Sequence, residues 1–238
     1  MKYITRFELK NNKIKSDNRG TFVSFFKNAI SEYMDGYFYD ELYGSGTKRK
    51  EICWSIRLNN PKFDRDIIHL GGNNIEMTLK TENQEIALIY FSSLLNMKDK
   101  PFNIGNDNQI TLKSIRLVRE PDIIGDFGIF KILSPICIRL HDRETNRDKY
   151  LAYSDEGFEL EFRNKIKEDL EFFDKEIDSL IFDFSKLKKV VIPIYGTLIS
   201  ATLGTFFVKG DNKLLNYIKN NGIGSRRSSG MGLIELIF

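Results

Sequence analysis

The sequence has few of the residues from which metal and redox sites are built. Its 238 residues include two cysteines and two histidines. Cys53 and Cys137 are far apart and neither belongs to a Cys-x-x-Cys pair, which argues against a zinc site and for a reducing compartment. The first ten residues alternate charged and apolar side chains and lack the apolar core of a signal peptide. We therefore expect a cytoplasmic protein that uses neither a metal nor a cofactor.

An excess of charge of one sign is also lacking. The chain has 36 Lys and Arg against 33 Asp and Glu, a formal net charge of +3. Any nucleic-acid partner must therefore be bound by local basic clusters rather than by a basic surface as a whole. The apolar share of 41% and the aromatic share of 13% suffice for a substantial core, and the length suits one large domain or two small ones.

One uncharged run, residues 190–208, is long enough to qualify formally as a membrane span. It contains Pro193, Gly196 and Gly204 together with several Ser and Thr residues. This composition is more typical of two buried strands around a turn. We expect no membrane association, and a membrane-bound or purely structural protein stays open as an alternative from another class.

The first half of the chain shows two helical and four strand-like patterns. Phe22, Phe25, Phe26, Ala29 and Ile30 recur at helical spacing, whereas alternation of apolar and polar residues marks the strands. In chain order the patterns predict a strand over 3–10, a helix over 21–33, strands over 52–58 and 75–79, a helix over 84–96 and a strand over 109–119. This order is that of the ferredoxin-like split βαβ fold.

The second half predicts a more irregular copy of the same order. The predicted elements are a strand over 127–140 with a bulge at Ser134-Pro135, a charged turn over 141–148, a returning strand over 150–153, a helix capped by Ser154 or Asp155, two strands around a turn at 197–202, a helix over 212–219 and a strand over 233–238. The predicted fold class is α+β, with tandem ferredoxin-like (RRM-like βαββαβ) domains over 1–121 and 122–238.

A glycine-rich stretch precedes the last strand. Residues 221–232 read Asn-Gly-Ile-Gly-Ser-Arg-Arg-Ser-Ser-Gly-Met-Gly, so that two Gly-apolar-Gly units bracket two arginines and three serines. Glycines let a backbone approach a ligand closely, and Arg and free N–H groups suit phosphate oxygens. The stretch matches neither the dinucleotide fingerprint, because Arg227 stands in place of the third glycine, nor the P-loop. A simple glycine-rich turn is the alternative.

Two ferredoxin-like halves that end in this loop and a final strand resemble the CRISPR-associated repeat-cleaving endoribonucleases of the RAMP superfamily. The residues that carry the resemblance are those from Gly222 to Gly232, together with Leu133-Ser134-Pro135-Ile136. The resemblance implies a protein that binds CRISPR repeat RNA (precursor crRNA), often as a hairpin, and cuts it once per repeat without metal. RNA supplies its own nucleophile, the 2′-hydroxyl. The enzyme therefore needs alignment, a base, an acid and cationic charge on the phosphorane, and should leave a 2′,3′-cyclic phosphate and a 5′-hydroxyl.

The resemblance also implies a catalytic loop after the first helix, where family members usually carry His after Leu, a later Lys and a helix-associated Tyr. Here Leu42 precedes Tyr43, with Tyr33 or Tyr37 upstream, and the loop contains no His. Tyr43 is therefore the expected catalytic residue, with Lys48 and Lys50 beside it. Because phenol titrates near pH 10 in model peptides, we expect the basic run with Arg49 to lower the pKa of Tyr43 and to contact RNA phosphate. An RNA-stacking or surface Tyr43 and a merely solvated loop are the alternatives.

The two histidines are further candidates for acid–base catalysis. His69 precedes Gly71-Gly72 in a segment expected to fold back toward the same loop, and His141 lies in a charged hairpin. For both, a structural or surface role is the competing interpretation. The RNA-binding residues expected around the glycine-rich loop, besides Arg49, are Lys219, Gly222, Gly224, Ser225, Arg226, Arg227, Ser228, Ser229, Gly230 and Gly232.

The nearest rival to a nuclease keeps the fold and the RNA but not the cleavage. It is a RAMP subunit that holds crRNA among other CRISPR effector subunits. The absence of His from the expected loop favours this rival. A homodimer is a further open alternative.

Overall fold

The computed structural model describes residues 1–44, 50–170 and 173–238. The chain divides into two compact units. The first comprises Met1–Arg119 with Pro193–Thr197, and the second comprises Glu120–Ile192 with Leu198–Phe238. Each has its own cluster of buried apolar side chains.

The first unit is built on a five-stranded antiparallel sheet. Its elements are β1 (Lys2–Leu9), β2 (Lys13–Lys15), α1 (Arg19–Glu32), β3 (Cys53–Leu58), β4 (Lys62–Asp64), β5 (Ile67–His69), β6 (Asn74–Lys80), α2 (Gln84–Asn96), β7 (Pro101–Gly105) and β8 (Asn108–Val118). The main sheet has the order β3-β6-β1-β8-β7. Its first four strands, with α1 and α2, form the ferredoxin-like arrangement that the sequence predicts.

The helices of this unit pack through an aromatic core. Phe26 of α1 meets Trp54 of β3 and Tyr90 of α2 edge-on, with ring centroids 5.6 Å apart in both pairs. The helix α2 begins where predicted, because the side chain of Asn83 accepts hydrogen bonds from the backbone N–H groups of Glu85 and Ile86. Beyond α1, two short helical turns follow at Tyr33–Gly36 and Asp40–Gly44. The second turn contains Tyr43.

A small accessory sheet, not predicted from the sequence, has the order β2-β5-β4. It lies beside the end of the main sheet where β1 and β3 finish, since Leu70 N–H donates to the Asn12 carbonyl and Gly71 N–H donates to the Asn59 carbonyl. Ile14 and Ile68, one on each of two of its strands, are buried. The accessory sheet therefore belongs to the first core.

The second unit repeats the plan irregularly. Its elements are β9 (Phe127–Ile132), β10 (Ile138–Asp142), β11 (Arg147–Leu151), α3 (Phe158–Lys167), α4 (Asp174–Asp178), β12 (Ile181–Asp183), β13 (Leu187–Ile194), β14 (Thr197–Lys209), α5 (Asn212–Asn221) and β15 (Ile234–Leu236). The sheet has the order β12-β14-β9-β15, with β13 also paired to β14. The predicted α+β class with tandem ferredoxin-like units is confirmed.

Three local predictions for the second half of the chain were wrong. The single strand expected over 127–140 is two strands, β9 and β10, because the chain leaves the sheet at Ser134-Pro135. The turn expected at 197–202 lies within β14, and the chain instead turns at Tyr195 and Gly196, which have φ angles of +50° and +78°. The helix α3 starts after Gly157 rather than at Ser154 or Asp155.

The uncharged run 190–208 forms parts of β13 and β14. In the described ranges, none of the helices has the length and apolar character needed to span a bilayer.

Candidate functional site

The glycines of the 221–232 loop serve backbone packing. Gly222, Gly224, Gly230 and Gly232 all have positive φ angles, between +70° and +91°. A Cβ atom on Gly232 would lie 1.9 Å from the carbonyl oxygen of Ile223, and one on Gly224 would lie 2.7 Å from that of Cys137. No other residue fits these two positions without moving backbone. All four glycines are buried.

The loop is hydrogen-bonded to the segment around Ser134, the other stretch of the chain that carries the family resemblance. Gly232 N–H donates to the Pro135 carbonyl at 2.9 Å, Ser225 N–H donates to the Cys137 carbonyl at 2.7 Å, and Leu233 N–H donates to Ser134 Oγ at 2.9 Å. The two motifs thus form one structural unit. The close approach that glycine permits here is between two stretches of the chain, rather than the approach to a ligand expected from the motif alone.

Arg227 faces into the protein. Its side chain is 6% exposed and lies 3.0 Å from a carboxylate oxygen of Asp169, which is 5% exposed. It also donates to the carbonyls of Asn221 and Gly222, the last groups of α5. A guanidinium that satisfies free carbonyls at a helix C-terminus and pairs with a buried carboxylate stabilises the fold. Its predicted contact with RNA stays a prediction, and its geometry favours a structural role.

Lys219 has a similar position. Its side chain is 1% exposed, and Nζ donates to the Pro121 carbonyl at 2.6 Å and lies 3.4 Å from Asp122. This buried side chain links α5 to residues 121–122, at the start of the second unit, and so stabilises their packing. The burial argues for a structural role here also.

Arg226, the neighbour of Arg227, faces a polar cluster on the β10–β11 hairpin. Its Nη2 donates to the Tyr150 hydroxyl at 2.7 Å, and the guanidinium carbon lies 5.7 Å from the centroid of the Tyr150 ring. Its Nε is buried and has no hydrogen-bond partner among the described residues. A buried donor without a partner is costly. Nη2 also lies 3.5 Å from a carboxylate oxygen of Asp148, and the side chain is 26% exposed. An anionic ligand would therefore meet the exposed part of the guanidinium rather than Nε.

Asp148 is the centre of that cluster. It lies 2.7 Å from Arg139 Nε, 2.8 Å from His141 Nδ1 and 3.1 Å from the Tyr150 hydroxyl. Burial alone would raise the pKa of this carboxyl. The hydrogen bonds from Arg139, His141 and Tyr150 outweigh burial and lower the pKa to about 2. Asp148 is thus ionised at neutral pH and holds the basic groups in place.

The three serines of the loop are half-buried. Ser225 Oγ accepts from the backbone N–H of Arg139 at 3.2 Å, which joins the loop to β10. Ser228 and Ser229 lie in a short 3-10 turn. Of the residues predicted here, Arg226 is brought together with His141, whereas Lys219, Arg227 and the glycines face the interior.

In the first unit, Tyr43 reaches α2. Its hydroxyl lies 2.9 Å from the hydroxyl of Tyr90, and its ring packs against the first core. Burial raises the pKa of Tyr43 to about 12, and the hydrogen bond to Tyr90 lowers it only in part. The expected lowering by Lys50 is not found, because burial and then the neighbouring phenols of Tyr39 and Tyr195 raise this pKa. The other cations expected to lower it precede Lys50 and lie outside the described residues.

Two lysines flank the ring of Tyr43. Lys50 Nζ lies 5.0 Å and Lys27 Nζ lies 5.5 Å from the ring centroid. Burial, followed by repulsion from Lys27, lowers the pKa of Lys50. Neither ammonium has an ion-pair partner in the described ranges. Lys48 and Arg49 lie outside the described residues.

His69 does not approach this group. It pairs with Lys13 and Lys62 in the accessory sheet. That sheet is at the Leu58 end of β3, whereas Lys50 precedes Cys53 at the other end. Six residues of strand separate the two ends by about 17 Å. The expected fold-back of the His69 segment toward the catalytic loop was therefore wrong.

Sequence reasoning missed Lys27, Arg139, Asp148 and Tyr150. The sequence offers one weak sign that Lys27 is available to a ligand. No acidic residue stands three or four positions from it on α1, where it could form an ion pair. Arg139, Asp148 and Tyr150 come together only through the register of β10 and β11, in which Arg139 faces Tyr150 and His141 faces Asp148.

Solved structures share this fold over the whole chain. A CRISPR associated protein Cas6 matches with a TM-score of 0.78 and 18% identity, over 100% of this chain and 99% of that chain. A Cas6-related protein from Pyrococcus furiosus matches with a TM-score of 0.82 and 17% identity, over 100% and 98%. A RAMP protein binding different RNA substrates matches with a TM-score of 0.80 and 16% identity, over 100% of both chains. The fold is that of the RAMP class.

The second unit identifies the family within that class. Residues 118–236, half of the chain, match the model of the family described as CRISPR associated protein Cas6, C-terminal. No curated protein is significantly similar to the chain in sequence. The chain belongs to the Cas6 family, and its function is CRISPR-associated, in RNA binding and processing.

Proposed function

We propose that this protein is a metal-independent endoribonuclease that binds CRISPR repeat RNA and cuts precursor crRNA. The 2′-hydroxyl loses its proton to water and attacks the adjacent phosphorus, the bond to the 5′-oxygen breaks, and that oxygen takes up a proton from Lys50. The products are a 2′,3′-cyclic phosphate and a 5′-hydroxyl. The observation that carries the proposal is the convergence of the Lys27 and Lys50 ammonium groups on the ring of Tyr43, at 5.5 Å and 5.0 Å.

The two lysines have distinct roles in this reaction. Lys50 has a lowered pKa because it is partly buried and close to Lys27, so it gives up a proton more readily than an ordinary lysine. It therefore suits the protonation of the leaving 5′-oxygen. Lys27, on the exposed side of α1, stabilises the negative phosphorane. Lys48, in the same basic run, supplies further positive charge.

Tyr43 acts through its ring. A phenol with a pKa of about 12 stays protonated at neutral pH, and its hydroxyl is already bonded to Tyr90. The ring face attracts both ammonium groups by cation–π interaction, worth about 0.5–2 kcal/mol each depending on exposure. Tyr43 therefore positions the lysines. The hydroxyl of Tyr43 is not the base in this proposal.

RNA binding in the second unit is proposed for the cluster around Arg226. The Arg226 side chain is partly exposed and lies 3.5 Å from Asp148, which also holds Arg139 and His141 beside it. Together they offer several donors to phosphate oxygens. Ser228 and Ser229 in the turn that follows extend the proposed contact. Arg49 stays a separate proposed RNA-binding residue.

The experiment that tests the proposal is incubation of the purified protein with its cognate repeat RNA in the presence of EDTA. We expect one cut per repeat and a 2′,3′-cyclic phosphate on the upstream fragment, detected by mass spectrometry. A repeat with a single 2′-deoxynucleotide at the cut site should bind and stay whole. Tight binding without a cut in the unmodified repeat would contradict the nuclease proposal.

A second function, binding of crRNA without cleavage, has one observation in its favour. The raised pKa of Tyr43 removes the phenol as a general base at neutral pH, and the loop contains no imidazole. The same EDTA assay decides between the two functions. In the second case the protein protects crRNA and elutes with other effector subunits.

A further inference from the structure

The accessory sheet presents a row of basic side chains. In its register, His69 of β5 stands opposite Lys13 of β2 on one side and Lys62 of β4 on the other. Residues directly opposite in antiparallel strands point to the same face, with Cβ atoms about 5 Å apart. Lys13 and Lys62 are exposed and His69 is half-buried. Lys13, His69 and Lys62 thus form a row that crosses all three strands of the accessory sheet.

This row is not neutralised within the protein. Among the described residues, neither Lys13 nor Lys62 has an ion-pair partner. The next row of the same face carries Lys15 and Asp64 on either side of Ile67, so one acid accompanies three lysines. Like charges in a cross-strand row destabilise a sheet. Such an arrangement is typical of a surface that is neutralised by an anionic ligand.

A cavity adjoins the row. It has a volume of about 490 Å³ and lies between residues 11–15, Ile67 and the β7–β8 turn at residues 104–108. This volume is within the range of sites for small molecules. The outer edge of β2 is largely occupied, since the Lys13 carbonyl accepts from Asn108 and the Lys15 carbonyl accepts from Asn18. The polar groups that can meet a ligand are therefore side chains of the cavity wall, among them those of Asn12 and Asn106. Ile67 and Ile104 supply apolar surface.

The cavity wall is held in place from inside. Asn108 is 6% exposed. Its Nδ2 donates to the Lys13 carbonyl at 2.6 Å and to the Asn11 carbonyl at 3.2 Å, and its Oδ1 accepts from Asn11 N–H at 2.9 Å. These bonds tie the β7–β8 turn to the start of β2. The opening next to the basic row is therefore a fixed feature rather than a gap between two loops.

We propose that the accessory sheet and this cavity form a second RNA contact in the first unit, which takes one unstacked nucleotide of a single-stranded segment. The base enters the cavity, where Ile67 and Ile104 cover its faces and the polar side chains of the cavity wall meet its edge. The flanking phosphates lie on Lys13, Lys62 and His69. Single-stranded RNA is the occupant because only an unstacked base presents both faces and an edge to a cavity. The inference rests on the proposed function, and the contact lies at the opposite end of β3 from Lys50.

The test compares two double variants of the whole protein with equal loss of charge. Lys13→Ala/Lys62→Ala removes the row, and Lys98→Ala/Lys175→Ala removes two other exposed lysines. We expect the first to raise the Kd for repeat RNA about tenfold and to lower the slope of log K against log salt by about 1.4, since single strands give about 0.7 per phosphate contact. The Lys13→Arg/Lys62→Arg variant should restore binding.

A base contact is tested by scanning the repeat with single abasic nucleotides. One abasic position should weaken binding to the unaltered protein, and the same position should have no further effect on Ile104→Trp, in which the cavity is filled. Equal Kd values and salt slopes for the two double variants would overturn the inference alone. Absence of any binding to repeat RNA by the unaltered protein would overturn the proposed function as well.

Discussion

The hydroxyl oxygens of Tyr43 and Tyr90 lie 2.9 Å apart, with Tyr90 fully enclosed in the core of the first unit. The buried hydroxyl of Tyr90 thus has its partner in Tyr43, which is half-buried. This pair ties the chain beyond α1 to α2 and leaves the face of the Tyr43 ring to the two lysines. The consequence is that hydroxyl and ring have separable functions.

Two substitutions of Tyr43 separate these functions. Tyr43→Phe keeps the ring and leaves the buried Tyr90 hydroxyl without this partner, so the free energy of unfolding should fall by about 1–3 kcal/mol while cleavage persists. Tyr43→Leu removes the ring and should lower the single-turnover cleavage rate at least tenfold. Urea unfolding and cleavage of labelled repeat RNA measure the two effects. Loss of cleavage in the folded Tyr43→Phe variant would show that the hydroxyl takes part in the reaction.

The pair also has a pH signature. The pKa of Tyr43 is raised above its unfolded value of about 10, to about 12. A raised pKa means that the folded state binds the phenolic proton more tightly. Its contribution to stability is therefore complete below pH 10 and is lost as the pH rises from 10 to 12. Melting temperatures across this range should fall less steeply for Tyr43→Phe than for the unaltered protein.

The alkaline limb of cleavage should belong to Lys50. A general acid works only when protonated, so the rate should decline as the pH rises through the pKa of Lys50, which is lowered by burial and by Lys27. Lys50→Ala should reduce the rate by about 10²–10⁴-fold, and Lys27→Ala should move the limb to higher pH. Single-turnover rates from pH 6 to 10 measure both. An unchanged limb in Lys50→Ala would assign the proton to another group.

Arg226 and Arg227 should respond oppositely to alanine. Arg227→Ala leaves Asp169 buried without its guanidinium and should lower the free energy of unfolding by about 3–5 kcal/mol. Arg226→Ala should change stability by less than about 1 kcal/mol, raise the Kd for repeat RNA several-fold and reduce the salt slope by about 0.7. Chemical denaturation and RNA titration at several salt concentrations distinguish them. The reverse pattern would assign the RNA contact to Arg227.

The glycine-rich loop should tolerate no side chain at Gly232. In Gly232→Ala a Cβ would meet the Ile223 carbonyl at 1.9 Å, in a backbone with φ of +71°, and we expect a loss of at least about 2 kcal/mol. Gly125→Ala is the matched control, since nothing lies within 4 Å of its Cβ position, and it should change stability by less than about 0.5 kcal/mol. Thermal melting of the two variants is the measurement. Equal melting temperatures would show that the loop rearranges freely.

Much of the fold was predictable because its signals are local. The helix α2 starts and ends as predicted, since a capping Asn83 and apolar residues at helical spacing are properties of a short window. The turn at Tyr195 and Gly196 was missed because a positive φ at a tyrosine is imposed by strand pairing rather than by the residue type. The accessory sheet was missed because three-residue strands carry too little periodicity to detect.

The sequence by itself determined the two ferredoxin-like units and the motif that marks the family, because burial patterns and glycine positions are written along the chain. Only the tertiary structure decided what adjacent residues of one type do. Arg226 and Arg227 are adjacent residues of the same type, and the sequence does not tell them apart. In the fold, Arg226 contacts Tyr150, whereas Arg227 contacts the buried Asp169. The pKa shifts of Tyr43 and Lys50 were likewise decided by the tertiary structure. The direction of a pKa shift depends on burial and on charges brought from distant parts of the chain, and these exist only once the chain has folded.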